Sequence, residues 1–213
     1  MAIPQPARLG FLASHRGSNL KAIVDACAAG RLPAQPVLVI SNNAGSGALQ
    51  RARDAGIPAL LLNAANSGGA AGLDAALALA LSEHRVDLVL LAGWMLQLGS
   101  ATLSAYPGRI LNIHPALLPK FGGRGMYGRH VHQAVLTAGE TETGATVHLV
   151  DAGYDTGRIL AQRRVPVWPG DDVERLAARV LEVEHALYVD TLRDYLAGRF
   201  KSLGIAGRQS GED

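Results

Sequence analysis

The sequence lacks several features that would indicate a particular class of partner. Its 213 residues include a single cysteine, Cys27, which excludes an intramolecular disulfide. The 20 Lys and Arg residues nearly balance the 18 Asp and Glu residues, and no basic block stands out, so charge does not favour nucleic acid or a membrane surface as a partner. No apolar run reaches the ~18 residues of a membrane span, and residues 1–8 lack the apolar core of a signal peptide. We therefore predict a soluble, cytoplasmic protein.

Apolar residues, by contrast, are plentiful. With 48% of its residues hydrophobic, the chain can bury a sizeable core in one domain. We predict a single domain over residues 1–199 and a flexible tail at 200–213. Cys27 is spaced with Leu20 and Ile23 on the apolar face of a helix, which favours a core residue over a nucleophile.

Strand-like and helix-like segments alternate along the chain. Strands are predicted at 9–13, 37–41, 59–62, 88–92, 110–114, 146–150 and 163–167, and helices at 18–29, 47–55, 73–84, 130–138 and 173–197. Such alternation predicts an α/β fold, a Rossmann-like, mostly parallel sheet in a single domain with helices on both faces.

The short strand at 110–114 carries two polar side chains in an otherwise apolar run. Strand side chains alternate between faces, so Asn112 and His114 point the same way while Leu111 and Ile113 point the other. An amide beside an imidazole combines an oxyanion donor with a proton-transfer group, which attack on a carbonyl-level carbon requires. The alternative is a hydrogen-bonded polar pair at a strand end.

The first strand-to-helix turn, residues 14–19, contains Gly17, Ser18 and Asn19. A glycine turn leading into a helix presents unpaired N–H groups and the positive end of the helix dipole, which suits a phosphate. With one glycine and no acidic residue ending the second strand, the turn does not match the dinucleotide fingerprint, so NAD is not predicted. The alternative is a plain turn in which Ser18 or Asn19 caps the helix.

Three further polar residues outside the strand at 110–114 are candidates for a role in the site. His130 and His132 are two residues apart and therefore on different faces of a helix, which argues against a shared metal. We interpret them as structural or substrate-facing. Asp155 lies in a polar, glycine-punctuated loop, where a turn aspartate is the simplest interpretation.

Glu184 falls on the apolar stripe of the last helix, together with Val180 and Leu187. A buried carboxylate needs a partner, often a cation. The partner is either a protein side chain such as Arg109 or an amine on a ligand.

Taken together, several short motifs resemble the phosphoribosylglycinamide formyltransferases, a family of folate-dependent enzymes of purine synthesis. The motifs are Gly17-Ser18-Asn19-Leu20, Ser41-Asn42, Leu91-Ala92-Gly93-Trp94-Met95, Leu111-Asn112-Ile113-His114-Pro115, Leu117-Leu118-Pro119, Gly144-Ala145-Thr146-Val147-His148, Asp155-Thr156-Gly157 and Glu184-His185-Ala186. The resemblance runs from residue 9 to about residue 199. Its strand motif is typical of the wider formyltetrahydrofolate-using family, and its glycine turn indicates glycinamide ribonucleotide as the acceptor.

The resemblance implies a role for each matching residue. The catalytic residues would be Asn112, holding the formyl oxygen as it becomes an oxyanion, His114, shuttling protons, and Asp155, supporting the imidazole and relaying a proton through water. Pairing with Asp155 is expected to raise the pKa of His114. The substrate-binding residues would be Gly17, Ser18, Asn19, Pro115 and Glu184, and those lining the folate cleft Met95, Leu96, Gln97, Leu98, Asp151, Ala152, Gly153 and Tyr154.

The resemblance also implies the co-substrate and the partners. The formyl donor would be 10-formyltetrahydrofolate, with transfer by direct attack, no covalent enzyme intermediate and no metal. Partners would be small molecules rather than nucleic acid or membrane. The sequence leaves open whether the protein forms a homodimer. The chain departs from the family pattern at His15, Leu96, Ala116 and Leu181, and its glycine loop at 123–128 is longer.

The resemblance also leaves open two related activities in which the formyl group passes to a different acceptor. They are formyl transfer to an amino sugar linked to a nucleotide, and hydrolysis of formyltetrahydrofolate. An alternative of another class is a folate-binding regulatory protein without catalysis, which the presence of Asn112, His114 and Asp155 disfavours.

Overall fold

A computed structural model describes residue 3 and residues 5–200, and in this part of the chain seven strands and six helices follow one another. The strands are β1 Ala7–Leu12, β2 Ala34–Ser41, β3 Ala59–Leu61, β4 Leu88–Leu91, β5 Ile110–His114, β6 Glu142–Leu149 and β7 Ile159–Pro166. The helices are α1 Ser18–Ala28, α2 Gly47–Asp54, α3 Ala70–Glu83, α4 Ser100–Ala105, α5 Arg129–Thr137 and α6 Val173–Leu196. Apart from residue 200, the predicted tail lies outside the described residues.

All seven strands form one sheet in the order β3-β2-β1-β4-β5-β6-β7. Neighbouring strands from β3 to β5 are parallel, whereas β6 pairs antiparallel with both β5 and β7. The prediction of an α/β fold with a mostly parallel sheet is confirmed. Because the chain runs outward from β1 in both directions, a crevice forms at the carboxyl ends of β1 and β4, where open α/β sheets bind their ligands.

Helices cover both faces of the sheet, as predicted. In β4, Leu88 and Leu90 pack with α1, α2 and α6, while Val89 and Leu91 pack with α3 on the opposite face. Both layers are apolar because every residue of this central strand is buried. Cys27 is half-buried against the first of these layers, and burial raises the pKa of its thiol to about 11. The prediction of a core residue is confirmed.

Helix α4 was not predicted from the sequence. Its first turn is held by Asp74 of α3, whose carboxylate accepts hydrogen bonds from the N–H groups of Gly99, Ala101 and Thr102. The N-cap residue, Gly99, has no side chain that could cap the helix, so the cap comes from a residue more than twenty positions away. None of the helices in the described ranges is long and apolar enough to span a bilayer.

Candidate active site

A cleft of about 590 Å³ lies at the carboxyl ends of β4 and β5. It brings together most of the site residues predicted from the sequence. Those that line it are Asn19, Met95, Leu96, Gln97, Leu98, Asn112, His114, Pro115, Asp151, Gly153, Tyr154, Asp155 and Glu184. Gly17, Ser18 and Ala152 do not line it, although each is adjacent in sequence to a residue that does or lies within two positions of one.

Strand β5 delivers Asn112 and His114 to this cleft. Leu111 and Ile113 belong to the core cluster that packs with α1 and α6, although Ile113 also reaches the cleft wall. Tyr188 of α6 fixes the strand in place, since its hydroxyl donates to the carbonyl oxygens of Leu91 at 3.2 Å and Leu111 at 2.9 Å. The alternation of side chains that the sequence predicts is therefore present.

The imidazole of His114 is buried and contacts groups on both sides. Its Nε2 lies 2.8 Å from the carbonyl oxygen of Phe121, and its Nδ1 lies 3.5 Å from Oδ2 of Asp155. Burial lowers the pKa of His114, and it outweighs the opposing effects of the Asp155 charge and the Phe121 carbonyl. Pairing with the carboxylate does raise this pKa, as expected, but removal from water is the larger effect, so the pKa lies below its usual value.

Asp155 lies between two histidines. Its φ of 56° is left-handed, and the N–H of Gly123 donates to Oδ2 at 3.0 Å. The other carboxylate oxygen, Oδ1, lies 3.5 Å from Nε2 of His148. Burial raises the pKa of Asp155, while the charge of His114 and the hydrogen bond from the Gly123 N–H lower it, and the net shift is downward. The group is thus an ionised carboxylate at neutral pH.

His148 is a member of this cluster to which the sequence assigned no role. It lies in β6 directly opposite Asn112 of β5, and its Nε2 is 3.0 Å from Nδ2 of Asn112. The strand at 146–150 was predicted from its alternation, which already placed His148 and Thr146 on one face. The register between β5 and β6 was not predictable, and it is the register that brings the two side chains together.

The two histidines of α5 lie in different environments, as their spacing predicts. His132 is buried and lines the cleft, whereas His130 is exposed and packs edge-on against Tyr127. Burial, with a smaller contribution from the charge of His114, lowers the pKa of His132 to about 4. His132 is therefore a neutral imidazole at the wall of the site.

The glycine turn at residues 14–19 leads into α1, which has no side-chain cap at its start. Gly17 is the N-cap residue at a left-handed φ of 69°, and neither Ser18 nor Asn19 caps the helix. The alternative of a conventionally capped turn is therefore wrong. The N–H of Ala48 in α2 donates to the carbonyl oxygen of His15 at 3.1 Å, which braces the turn from behind. An uncapped helix start leaves N–H groups for an anion.

Replacing Gly17 with alanine is expected to weaken binding of a phosphate-bearing substrate selectively. A Cβ at this position would lie 2.9 Å from both Cα and Cβ of Ala48, so the turn must move away from α2. Left-handed backbone adds a cost of about 1–2 kcal/mol. We expect the KM of the phosphate-bearing substrate to rise about tenfold or more, with little change for the second substrate, in steady-state kinetics.

The matched control is Gly30→Ala, just beyond α1. Gly30 has a φ of 68°, and a Cβ there meets nothing within 4 Å, so this variant carries the backbone cost without the displacement. Its KM values should match wild type. An equal rise in both KM values for Gly17→Ala would contradict the anion site and indicate a disturbed fold.

Glu184 is buried and its partner is Asn19. The amide Nδ2 of Asn19 donates to Oε2 of Glu184 at 2.7 Å. Arg109 instead donates to the carbonyl oxygens of Asp87 and Ala105, so the alternative in which Arg109 is the partner of Glu184 is wrong. Burial raises the pKa of Glu184 to about 7, despite the lowering effect of Asn19. An amide offsets the cost of a buried charge less completely than a cation does.

The raised pKa of Glu184 predicts a pH-dependent stability. The folded state binds this proton more tightly than the unfolded state, whose pKa is about 4.5, so stability falls as pH rises from about 4.5 to about 7. At about 1.4 kcal/mol per pH unit the loss reaches about 3 kcal/mol. Glu184→Gln removes the titration, so its Tm should equal that of wild type near pH 4.5 and exceed it at pH 8. Glu142→Gln, at a partly exposed ion pair with Arg164, controls for the loss of one charge. A Tm difference that is constant with pH would contradict this prediction.

The two segments predicted to line a folate cleft face each other. Nε2 of Gln97 donates to the carbonyl oxygen of Ala152 at 2.6 Å, and the N–H of Met95 donates to Oγ of Ser14 at 3.1 Å. The guanidinium of Arg124 stacks over the ring of Tyr154, with Cζ 5.4 Å from the ring centroid. The glycine loop thereby contacts the 151–154 segment at the mouth of the cleft.

Proton transfer beside a developing oxyanion is the chemistry that such a cleft can perform. An amide, an imidazole and an ionised carboxylate meet at the carboxyl edge of a mostly parallel sheet. Asn19, in the uncapped first turn of α1, lines the same cleft. The fold and the site together define an α/β enzyme that acts on a carbonyl-level carbon.

Comparison with known proteins narrows this class. A family model described as formyl transferase matches residues 7–192. A chloroplastic phosphoribosylglycinamide formyltransferase of Arabidopsis thaliana is 43% identical over 93% of this chain and 68% of its own length. The phosphoribosylglycinamide formyltransferase of Haemophilus influenzae is 38% identical over 91% of this chain and 89% of its own length. A crystal structure of glycinamide ribonucleotide transformylase 1 from Symbiobacterium toebii superposes with a TM-score of 0.86 at 44% identity, covering 91% of this chain and 89% of that one. The chain belongs to the formyl transferase family.

Proposed function

We propose that this enzyme transfers the formyl group of 10-formyltetrahydrofolate to the amine of glycinamide ribonucleotide. The observation that carries the proposal is the presence of Asn112, His114 and Asp155 in the same cleft as Asn19 and Glu184. The first three suit the transfer step, and the last two lie next to a helix start suited to a phosphate. The names of the three similar proteins support the same acceptor.

The ribonucleotide is held from its phosphate to its amine along one side of the cleft. The start of α1, with Gly17, Ser18 and Asn19, binds the phosphate through N–H groups and the helix dipole. Oδ1 of Asn19 is buried without a hydrogen-bond partner in the described part of the chain, so it is available to a donor on the substrate. Glu184 accepts from the glycinamide end, and Pro115 forms the wall beside it.

The folate occupies the other side, between the segments 95–98 and 151–154. Met95, Leu96 and Leu98 supply main-chain and apolar contacts, while Tyr154 closes the opposite wall. Leu96, where the family often has an arginine, is 40% exposed at the cleft, so its side chain gives an apolar contact and its backbone the polar one. This arrangement directs the formyl group toward β5.

Transfer proceeds by direct attack of the amine on the formyl carbon. A C–N bond forms, the carbonyl oxygen gains the electron pair, and Nδ2 of Asn112 donates a hydrogen bond to the resulting oxyanion. The attacking nitrogen loses a proton and N10 of the folate gains one, with His114 as the group that moves it. The carboxylate of Asp155 favours the imidazolium form during that step. The C–N10 bond then breaks, giving the formylated ribonucleotide and tetrahydrofolate.

The test is incubation of the purified protein with 10-formyltetrahydrofolate, with and without glycinamide ribonucleotide. The proposal expects formylated ribonucleotide and tetrahydrofolate in equal amounts, formed only when both substrates are present. Formate release without the acceptor would indicate a hydrolase instead. Transfer to an amino sugar nucleotide but not to glycinamide ribonucleotide would change the acceptor, and folate binding without any turnover would indicate a regulatory protein.

A further inference from the structure

His148 makes more specific contacts with the reacting groups than a packing residue needs. It lies directly opposite Asn112 across β5 and β6, where side chains of an antiparallel pair approach most closely. On its other side the β6–β7 pairing shifts register between Val147 and His148, and such an irregularity re-aims a side chain. The ring is buried, and it lines the cleft next to Asn112.

The partners of the two ring nitrogens identify the tautomer. Nδ1 of His148 lies 2.8 Å from the carbonyl oxygen of Leu149, and a carbonyl can only accept, so Nδ1 carries a hydrogen. A ring that carries its hydrogen on Nδ1 presents a lone pair at Nε2, and Nδ2 of Asn112 lies 3.0 Å from Nε2, close enough to donate to it. Oδ1 of Asp155 is 3.5 Å from Nε2, beyond the usual ~2.7–3.2 Å of such a hydrogen bond.

An asparagine amide can turn over and exchange its donor for its acceptor. With Oδ1 turned toward the formyl oxygen, Asn112 would repel the developing negative charge. An acceptor at Nε2 of His148 favours the orientation in which Nδ2 of Asn112 donates one hydrogen to the ring. Its second hydrogen then remains available for the formyl oxygen. The carbonyl of Leu149 contributes to this orientation, because it keeps the ring hydrogen on Nδ1.

We propose that His148 is a positioning residue that sets the orientation of the Asn112 amide for oxyanion stabilisation, through an unprotonated Nε2. This role rests on the proposed formyl transfer. It makes the orientation of the donor a property of the folded protein before substrate binds, which is what preorganised stabilisation of an oxyanion requires. His148 thus acts through Asn112.

Substitutions of His148 separate this role from simple packing. His148→Leu fills the space without an acceptor, whereas the side-chain oxygen of His148→Gln can reach the place of Nε2. We expect His148→Leu to lower kcat roughly ten- to hundredfold, less than the loss of an oxyanion donor itself. KM for both substrates should stay within about threefold, and His148→Gln should recover most of kcat. Equal losses in the two variants, or a loss confined to KM, would overturn the proposal.

A double-mutant cycle shows whether the effect passes through Asn112. In an Asn112→Ala background there is no amide to orient, so His148→Leu should lower kcat by less than about threefold further. A full ten- to hundredfold loss in that background would show that His148 acts by another route, such as Asp155, and would overturn the proposal. Thermal unfolding of each variant separates loss of fold from loss of kcat.

The ring itself provides a readout that does not depend on turnover. The ¹⁵N chemical shifts of His148 in the wild-type protein should identify a hydrogen on Nδ1 and a lone pair on Nε2. A hydrogen on Nε2 would overturn the proposal whatever the kinetics show. A wild-type protein that transfers no formyl group would instead count against the proposed function, so the two failures are distinguishable.

Discussion

Alanine at Asn112 or at His114 is expected to lower kcat for formyl transfer by roughly two to four orders of magnitude, with little change in folate binding. Both side chains act on charge that develops only in the transition state, so their loss does not weaken the ground-state complex. The measurement is kcat by single-turnover and steady-state kinetics, together with folate affinity by titration.

His84→Ala is the matched control for loss of an imidazole. His84 lies at the end of α3, where its Nδ1 is 2.9 Å from the carbonyl oxygen of Ala80, and it does not line the cleft. Its kcat should equal that of wild type. Turnover at the wild-type rate in either Asn112→Ala or His114→Ala would remove that residue from the proposed mechanism.

The parts of this site that follow from local sequence were predictable. The alternation in β5 placed Asn112 and His114 on one face, and a glycine before a helix placed an anion-type turn at Gly17. The apolar stripe of α6 predicted a buried Glu184. In each case a period of 2 or 3.6 residues, or a single left-handed residue, determines the geometry.

The contacts that the sequence could not give are those between distant elements. The partner of Glu184 comes from α1, 165 residues away, and His148 reaches Asn112 only through the β5–β6 register. Helix α4 likewise depends on Asp74 for its cap. No periodicity carries this information, because strand order and register are set by the packing of the whole sheet.

The pKa of His114 likewise combines an effect that the sequence predicted with one that it did not. A nearby carboxylate was expected to raise it, and Asp155 does have that effect. How deeply the imidazole is buried depends on how the chain folds around it, including Phe121, whose carbonyl oxygen lies 2.8 Å from Nε2. Desolvation exceeds the effect of the carboxylate, so the sum has the opposite sign.

Asp155→Asn is expected to keep the fold and nearly abolish transfer. The amide retains the shape of the carboxylate and can still accept from the N–H of Gly123, which donates at 3.0 Å in the wild-type protein. It loses the negative charge 3.5 Å from Nδ1 of His114. The expected loss in kcat is roughly two to four orders of magnitude, the range for a proton-transfer group that no longer functions. Asp25→Asn, an exposed i,i+4 ion-pair residue with Lys21, is the control for a change of one charge.

The same variant tests the electrostatic reason directly. In wild type the pKa of His114 is already lowered by burial, and the charge of Asp155 opposes that lowering. Removal of the charge therefore lowers the pKa further, so a smaller fraction of His114 is imidazolium at any pH near neutrality. NMR titration of His114, with a non-reactive folate analogue bound, should show the midpoint at lower pH in Asp155→Asn than in wild type. An unchanged titration with full activity would reduce Asp155 to a turn residue, and the support for the imidazolium would then have to come from another group in the cleft.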